Sequence, residues 1–260
     1  MEYSKHKVMS QDIDRKTLKK PDEFTTKVKS LFDLMADHSR KILFLLGIVF
    51  VAAFVFALLS SRSNTRNEEA KGSLFQAKQA LDKELAVIAS AEAPAMQKKS
   101  AQPSPELVAF KHFDVNAKLA GSVGKLKTVI KQYEGTKAAL DARMTLGDLY
   151  FNHGQYAASI EWYQQAADKA SGTSDRAMAL LGWGYALENS KQINNAIAVY
   201  ERALNTGDGM IKGDSMLSLA RCFELANDKN RAKLMYERII SQLPDSPHQR
   251  TAEDLKSRIE

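Results

Sequence analysis

Chemistry at neutral pH calls for histidines, thiols or carboxylates gathered at short spacings, and this chain scatters them. Its five histidines, His6, His38, His112, His153 and His248, keep no metal-ligand spacing. The single cysteine, Cys222, has no histidine or basic partner in the pattern around it and reads as a buried, inert thiol. It allows no intramolecular disulfide and leaves no lipid-bearing cysteine near the N-terminus. A phosphate-cradling glycine loop and a nucleophile elbow are both missing from the sequence. The expectation is a non-enzyme with no cofactor and no metal. Trp162 and Trp183 read as packing residues, Trp183 as a core one because it precedes Gly184.

What does recur is a pattern of small and aromatic residues. The stretch "ARMTLGDLYFNHGQYAASIEWYQQA" (142–166) shares its layout with 179–204 and 216–240, at a period of 36 to 37 residues. Superposed, Gly147, Gly184 and Ala220 coincide, as do Tyr150, Leu187 and Phe223; Ser159, Ala196 and Ala232; Tyr163, Tyr200 and Tyr236; and Ala166, Ala203 and Ile239. Each unit reads as two antiparallel helices with small residues where they cross and aromatics beside the crossing. One such unit cannot bury its apolar face alone, so neighbours must stack. The segment "VIKQYEGTKAA" (129–139) aligns with "IISQLPDSPHQ" (239–249), so the helix before Tyr133 is expected to act as half a repeat and residues 251–260 as a closing helix.

Two further segments frame the repeats. Residues 42–59, "ILFLLGIVFVAAFVFALL", carry no charge over eighteen positions and would rise about 27 Å as a helix, close to the roughly 30 Å hydrocarbon core of a bilayer. With Ser60 and Ser61 they are expected to form one transmembrane helix; forty-one residues precede the run and no small-x-small site follows it, unlike a cleaved signal peptide. Before it, Phe24, Val28, Leu31, Phe32 and Met35 share one helical face, suited either to the membrane surface or to a cytoplasmic partner. After it, Leu74, Ala77, Leu81, Leu85 and Ile88 mark a helix over 66–90, and "AEAPAMQKKSAQPSP" (91–105) is expected to be a mobile loop. Helix should resume near Glu106, with Gly121 to Gly124 as the place where it can break, and end near Tyr133.

Charge narrows the partners. Residues 1–41 hold ten Lys/Arg against seven Asp/Glu, and the remainder 27 against 24, so the formal charge of +6 forms no cationic stripe and nucleic acid is not expected as a partner. Lys27, Lys29, Arg40 and Lys41 face Arg62, Arg66 and Lys71 across the apolar run; with the other cations of the tail this favours a cytoplasmic N-terminus and an exported repeat domain.

Gly147, Tyr150, Gly154, Tyr156, Tyr163 and Ala166 resemble the tetratricopeptide repeat; Lys191 and Asn227 stand where the second and third units would carry the turn glycine. The resemblance implies an all-α chain, a single N-terminal transmembrane helix followed by a tetratricopeptide-like α-solenoid. The divisions expected are a tail with its amphipathic helix (1–41), the span (42–61), a helix with a proline-rich linker (62–104) and the repeat domain (105–260), with repeats near 140–173, 177–209 and 213–246 and a capping helix at 248–260. In this repeat type the first helices line a groove. Carrying over the groove positions gives Asp141, Met144, Asp148 and Asn152 in the first unit, Tyr185 and Asn189 with Met178 and Leu181 in the second, and Arg221 and Glu224 with Asp214 and Leu217 in the third. A clamp for a C-terminal carboxylate is absent, because its positions are Met144, Asp148, Gly182, Asp214 and Ser218. Asp148, Tyr185 and Arg221 share one groove position and are expected to be removable without unfolding the stack.

The layout of tail, span, helix and repeats resembles the membrane-anchored tetratricopeptide family that includes the ancillary subunit of the bacterial Sec translocon. That resemblance implies protein partners, among them translocon subunits and a periplasmic chaperone, at a bacterial inner membrane with the repeats in the periplasm. A division or envelope-assembly scaffold of the same architecture is the alternative.

Overall fold

The computed structural model describes residues 27–29, 39–97 and 113–259, and divides into two units, Met1–Arg62 and Ser63–Glu260. Helix α1 (Ser39–Gln97) runs through the division. In the first unit its apolar side chains stand uncovered, with Phe50 75% and Phe56 74% exposed. A window of mean hydropathy 1.5 within Gly47–Ser90 is long and apolar enough to cross a membrane by length and composition. The amphipathic helix expected over 24–35 lies outside the described residues, apart from 27–29, which are helical.

The second unit contains, after the remainder of α1, the short helix α2 (Val115–Lys118), then α3 (Ala120–Gln132), α4 (Lys137–Asn152), α5 (Tyr156–Lys169), α6 (Thr173–Asn189), α7 (Ile193–Thr206), α8 (Gly209–Leu225), α9 (Lys229–Gln242) and α10 (Pro247–Ile259). No strand occurs among the described residues. Pairs α4/α5, α6/α7 and α8/α9 are the three repeats, each packed on the next, and α10 closes the stack against α9.

Each pair turns through one backbone device. Gly154, Lys191 and Asn227 all adopt left-handed φ, at 75°, 66° and 59°, whether or not a glycine stands there. The following amide then reaches back to the preceding helix, Gln155 N to Tyr150 O at 2.9 Å, Gln192 N to Leu187 O at 2.9 Å and Asp228 N to Phe223 O at 2.8 Å, satisfying carbonyls the helix end would strand. The junctions before α4 and α10 repeat each other too. Gly135 and Asp245 take φ of 83° and 60°, and Thr136 and Ser246 each accept an amide of the first turn, from Ala139 and Gln249 at 3.2 Å.

The close crossings are where the sequence places its small residues. A Cβ on Gly147 would come within 2.8 Å of the Tyr163 ring, and one on Gly182 within 2.6 Å, so that ring is wedged between two helices of successive units. Tyr200 lies against Gly184 in the same way, and Ala196, Ala220 and Ala232 are fully buried. Removing side-chain bulk there lets the backbones approach closely enough for the tyrosines to fill the space between units.

Three expectations change. The compact unit begins at Ser63 instead of residue 105, because Ala70, Leu74, Ala77 and Leu81 of α1 share one buried core with Leu126, Val129, Leu146 and Tyr150. Arg66 hydrogen-bonds the carbonyls of Gln132 and Glu134 at the end of α3, while Glu84 lies beside Gly121 at its start, so α1 and α3 are antiparallel. Ser122, Leu126 and Val129 of α3, all buried, stand 37 residues before Ser159, Tyr163 and Ala166. The half-repeat thus finds its missing first helix in α1, far upstream. Secondly, α1 keeps helical backbone through Pro94 to Gln97, where a loop was expected; the alanines of that run favour continuing a helix already formed. The rest of that segment lies outside the described residues. Thirdly, the break falls at Leu119, φ −123°, with Gly121 and Gly124 inside α3; leaving the helix there buries the Leu119 side chain completely.

Candidate functional site on the face of the first helices

Helices α4, α6 and α8 form one face, and on it the three repeats share a motif the sequence alignment hides. In each, the tyrosine of the second helix donates its hydroxyl to a carboxylate on the first: Tyr163 to Asp148, Tyr200 to Glu188 Oε2 at 2.9 Å, and Tyr236 to Glu224. The acceptor moves. Glu188 and Glu224 are equivalent positions, occupied in the first unit by Phe151, so there the acid comes from one turn earlier, Asp148. Burial pushes the phenols of all three tyrosines upward, and the neighbouring carboxylates add to the shift.

This tethers several residues that the groove assignment treats as available. Asp148 is exposed along its flank, yet burial of the carboxyl raises its pKa against the opposing pull of the Tyr163 hydroxyl and the charge of Lys78. Tyr185 is half-buried, its ring edge-on to Tyr200 with centroids 5.7 Å apart, and burial raises its hydroxyl. Arg221 does not project freely: its Nε lies 2.5 Å from Glu188 Oε1 and its Nη2 2.9 Å from Oε2, a fork that ties the third repeat to the second. The row Asp148, Tyr185, Arg221 is therefore part of the scaffold as well as of the face, so removing it, expected to leave the stack folded, also removes contacts between and within repeats.

The remaining positions vary in freedom. Asp141 is half-buried and pairs with Lys137 at 3.1 Å, which also bridges to Asp175 of α6 at 2.6 Å. Met144 is half-buried against the core. Asn152 is exposed, and Asn189, also exposed, donates to its own helix at Tyr185 O, 2.9 Å. Glu224 is exposed but holds the Tyr236 hydroxyl; by the repeat spacing it matches Glu188, and Leu225, 61% exposed, takes the place of Asn152 and Asn189. Asp141, Met144 and Asp148 do come together, lining a cleft of about 220 Å3 with Lys78 of α1 and Met178 of α6.

The residues weighed for chemistry are placed as packing groups. Cys222 is fully buried, and burial together with the nearby Glu188 carboxylate pushes its thiol to about 12. Among the described histidines, His153 is buried with its ring 4.0 Å from that of Phe113, and His248 meets Asp214 Oδ1 at 2.8 Å while its ring lies against Gly213. Trp183 is half-buried, short of the core position expected; the Arg202 guanidinium covers its ring at 5.3 Å. Among the described residues no group of three His, Cys, Asp or Glu could hold a metal ion. Sequence reasoning missed Lys78, Phe75 and Lys137. Phe75 carried a signal, since it stands one residue off the buried series Leu74, Ala77, Leu81.

Residues 140–168 and 177–206 match one tetratricopeptide repeat family model and residues 214–246 another. Two solved structures of nearly identical TPR-like repeats, ascribed to a kinesin light chain of Podosopora anserina, are each 17% identical. The first covers 72% of this chain and 98% of its own at a TM-score of 0.42, and a point variant of it covers 76% and 97% at 0.41. No curated protein matches the chain. The all-α architecture, the stacked helix pairs and the three matched stretches make this a chain built on a tetratricopeptide-like solenoid, a repeat type that serves as a scaffold for protein–protein interaction.

Proposed function

We propose that the chain is anchored in a bacterial inner membrane by residues 42–61, holds its repeats on the exported side and scaffolds protein contacts beside the Sec translocon, in protein export or periplasmic folding. The observation that supports anchoring is the exposed aromatic and aliphatic side chains of α1, among them Phe44, Ile48, Phe50, Phe54, Phe56 and Leu59, in a stretch without a charge. In water such a surface would be an aggregation hazard, whereas in a bilayer it is satisfied. The partners follow from the layout of tail, span and repeats rather than from any single residue.

Reporters fused before Met1 and after Glu260 test the topology: the first should work only in the cytoplasm and the second only outside it. Crosslinking in the native membrane tests the partners. Translocon subunits should dominate the captured neighbours, whereas division or envelope-assembly proteins in their place would assign the same scaffold to a different task.

A further inference from the structure

Among the described residues Arg143 of α4, 5% exposed, is the only buried arginine or lysine. The repeat spacing sets it level with Leu180 and Met216, both fully packed in the core of the later units. A guanidinium cannot shed its proton, so the first unit carries a desolvation cost here that the other two avoid with an aliphatic side chain. Its protein partners offset little of that cost. Nη1 donates to Ala139 O of its own helix at 3.4 Å, Nε has no hydrogen-bond partner, and Nη2 stands 3.7 Å from Glu134 Oε1, beyond hydrogen-bond length. The Nε–Nη2 edge, which elsewhere grips carboxylates and phosphates through two parallel bonds, makes no hydrogen bond.

The neighbouring side chains favour an anion against that edge. Glu134 Oε1 stands between Arg143 Nη2 and Lys169 Nζ, the latter at 3.0 Å, so cations from α4 and α5 converge on one oxygen. Two positive charges against one carboxylate leave one positive charge over. Glu134 is held only at its tip: its side chain is 54% exposed, in the turn between α3 and α4. The backbone of that turn is fixed independently, by Arg66 on the carbonyls of Gln132 and Glu134 at 3.3 and 3.1 Å, so the carboxylate can swing into water while the turn stays. A carboxylate on this short tether leaves Nε unpaired. A tetrahedral oxyanion has enough oxygens to meet Nε, Nη2 and Lys169 together.

We infer that Arg143 and Lys169 form a site for a small tetrahedral oxyanion of the phosphate type, which displaces the Glu134 carboxylate, takes two bonds from the Arg143 Nε–Nη2 edge and one from Lys169. The anion bridges α4 to α5, so its binding tightens the first repeat. The inference is independent of the membrane anchoring and of the partner proposed above.

The full chain in detergent, titrated calorimetrically with inorganic phosphate against chloride at constant ionic strength, tests it. One site per chain should appear. Arg143→Met should abolish it while keeping the helical signal, because Met216 occupies the same position in the third unit. Lys169→Gln should weaken binding about tenfold, and Glu134→Gln should strengthen it severalfold by removing the competing carboxylate. In melting curves about 10 mM phosphate should raise the midpoint of the native chain by about 2–4 °C and leave that of Arg143→Met unmoved. Phosphoserine in place of phosphate separates the sources: equal affinity marks a site for a phosphate monoester, loss of binding a site for the free ion. An equal rise of the midpoint in Arg143→Met is exclusion of salt from the surface and overturns the inference. So does binding that Glu134→Gln weakens or that Lys169→Gln leaves unchanged, and so does the absence of any binding up to about 10 mM phosphate. Should Arg143→Met fail to fold, the two variants at the exposed Glu134 and Lys169 decide the matter by their opposite signs.

Discussion

Arg221 of the third repeat closes a two-bond fork on Glu188 of the second, and Glu188 at the same time receives the hydroxyl of Tyr200. One carboxylate, 12% exposed, thus joins the two helices of its own unit and the first helix of the next. It holds the repeats in register, a task the aligned residues alone do not disclose.

Removing Arg221 leaves that carboxylate short of a charged partner. Arg221→Ala should destabilise the chain by about 1–2 kcal/mol in urea unfolding, more than the roughly 0.5 kcal/mol of an ordinary surface change. In a double-mutant cycle with Glu188→Gln the coupling should be about 1 kcal/mol and shrink with added salt, since the guanidinium is half exposed. A coupling indistinguishable from zero would show Arg221 to be a free groove cation after all.

The contact between Gly184 and Tyr200 admits no methyl group. Gly184→Ala places its Cβ 2.3 Å from the ring, and overpacking of this order costs about 1–3 kcal/mol despite the better helix propensity of alanine. Tyr200→Leu, costly alone, should restore part of the stability when combined with it. Independent, additive effects would place the two residues in separate layers.

At the α6–α7 turn Lys191 holds a left-handed conformation that a side chain disfavours. Lys191→Gly should stabilise the chain by about 0.5–1 kcal/mol, and Gly154→Ala at the equivalent turn should destabilise it by a similar amount. Asn227→Gly should change little, because asparagine tolerates this region. Equal responses at all three turns would contradict the shared geometry.

The Cys222 thiol offers a probe of opening. With its pKa moved from 9.0 to about 12 and its side chain buried, alkylation by iodoacetamide at pH 8 should proceed only as fast as the third repeat opens, and should accelerate sharply through the urea transition. The folded thiol holds its proton more tightly than the unfolded one, so its contribution to stability is complete below about pH 9 and is lost as pH rises toward 12. Cys222→Ala should remove that share of the alkaline sensitivity. Rapid labelling of the native chain would place the thiol at the surface.

Much of the fold could be read in advance because its signals are local or periodic. The helical spacing of Leu74, Ala77 and Leu81, the recurrence of Gly147 at Gly184 and Ala220, and the tyrosines at 163, 200 and 236 all follow from what a 3.6-residue helix must bury and where two helices must approach. The alignment of residues 129–139 with 239–249 pointed to a half repeat before Tyr133, and the structure adds that its turn at Gly135 matches the one at Asp245. The candidate groove was legible only as a set of positions. Which of them are free was not, because Asp148, Tyr185 and Arg221 owe their state to partners on other helices.

The uncharged run at 42–59, the helix pairs, their period and the small-against-aromatic crossings can all be read from the amino acids in order, because periodicity and side-chain volume are written residue by residue. Folding in three dimensions was needed to show that α1 supplies the first helix of the leading pair across an insertion, that the tyrosine acceptor shifts from Asp148 to Glu188 and Glu224, and that Phe75 lines a cleft. These depend on which distant helix packs against which face and on placements of a few tenths of an ångström, within which a hydrogen bond forms or fails, and no spacing along one chain specifies them.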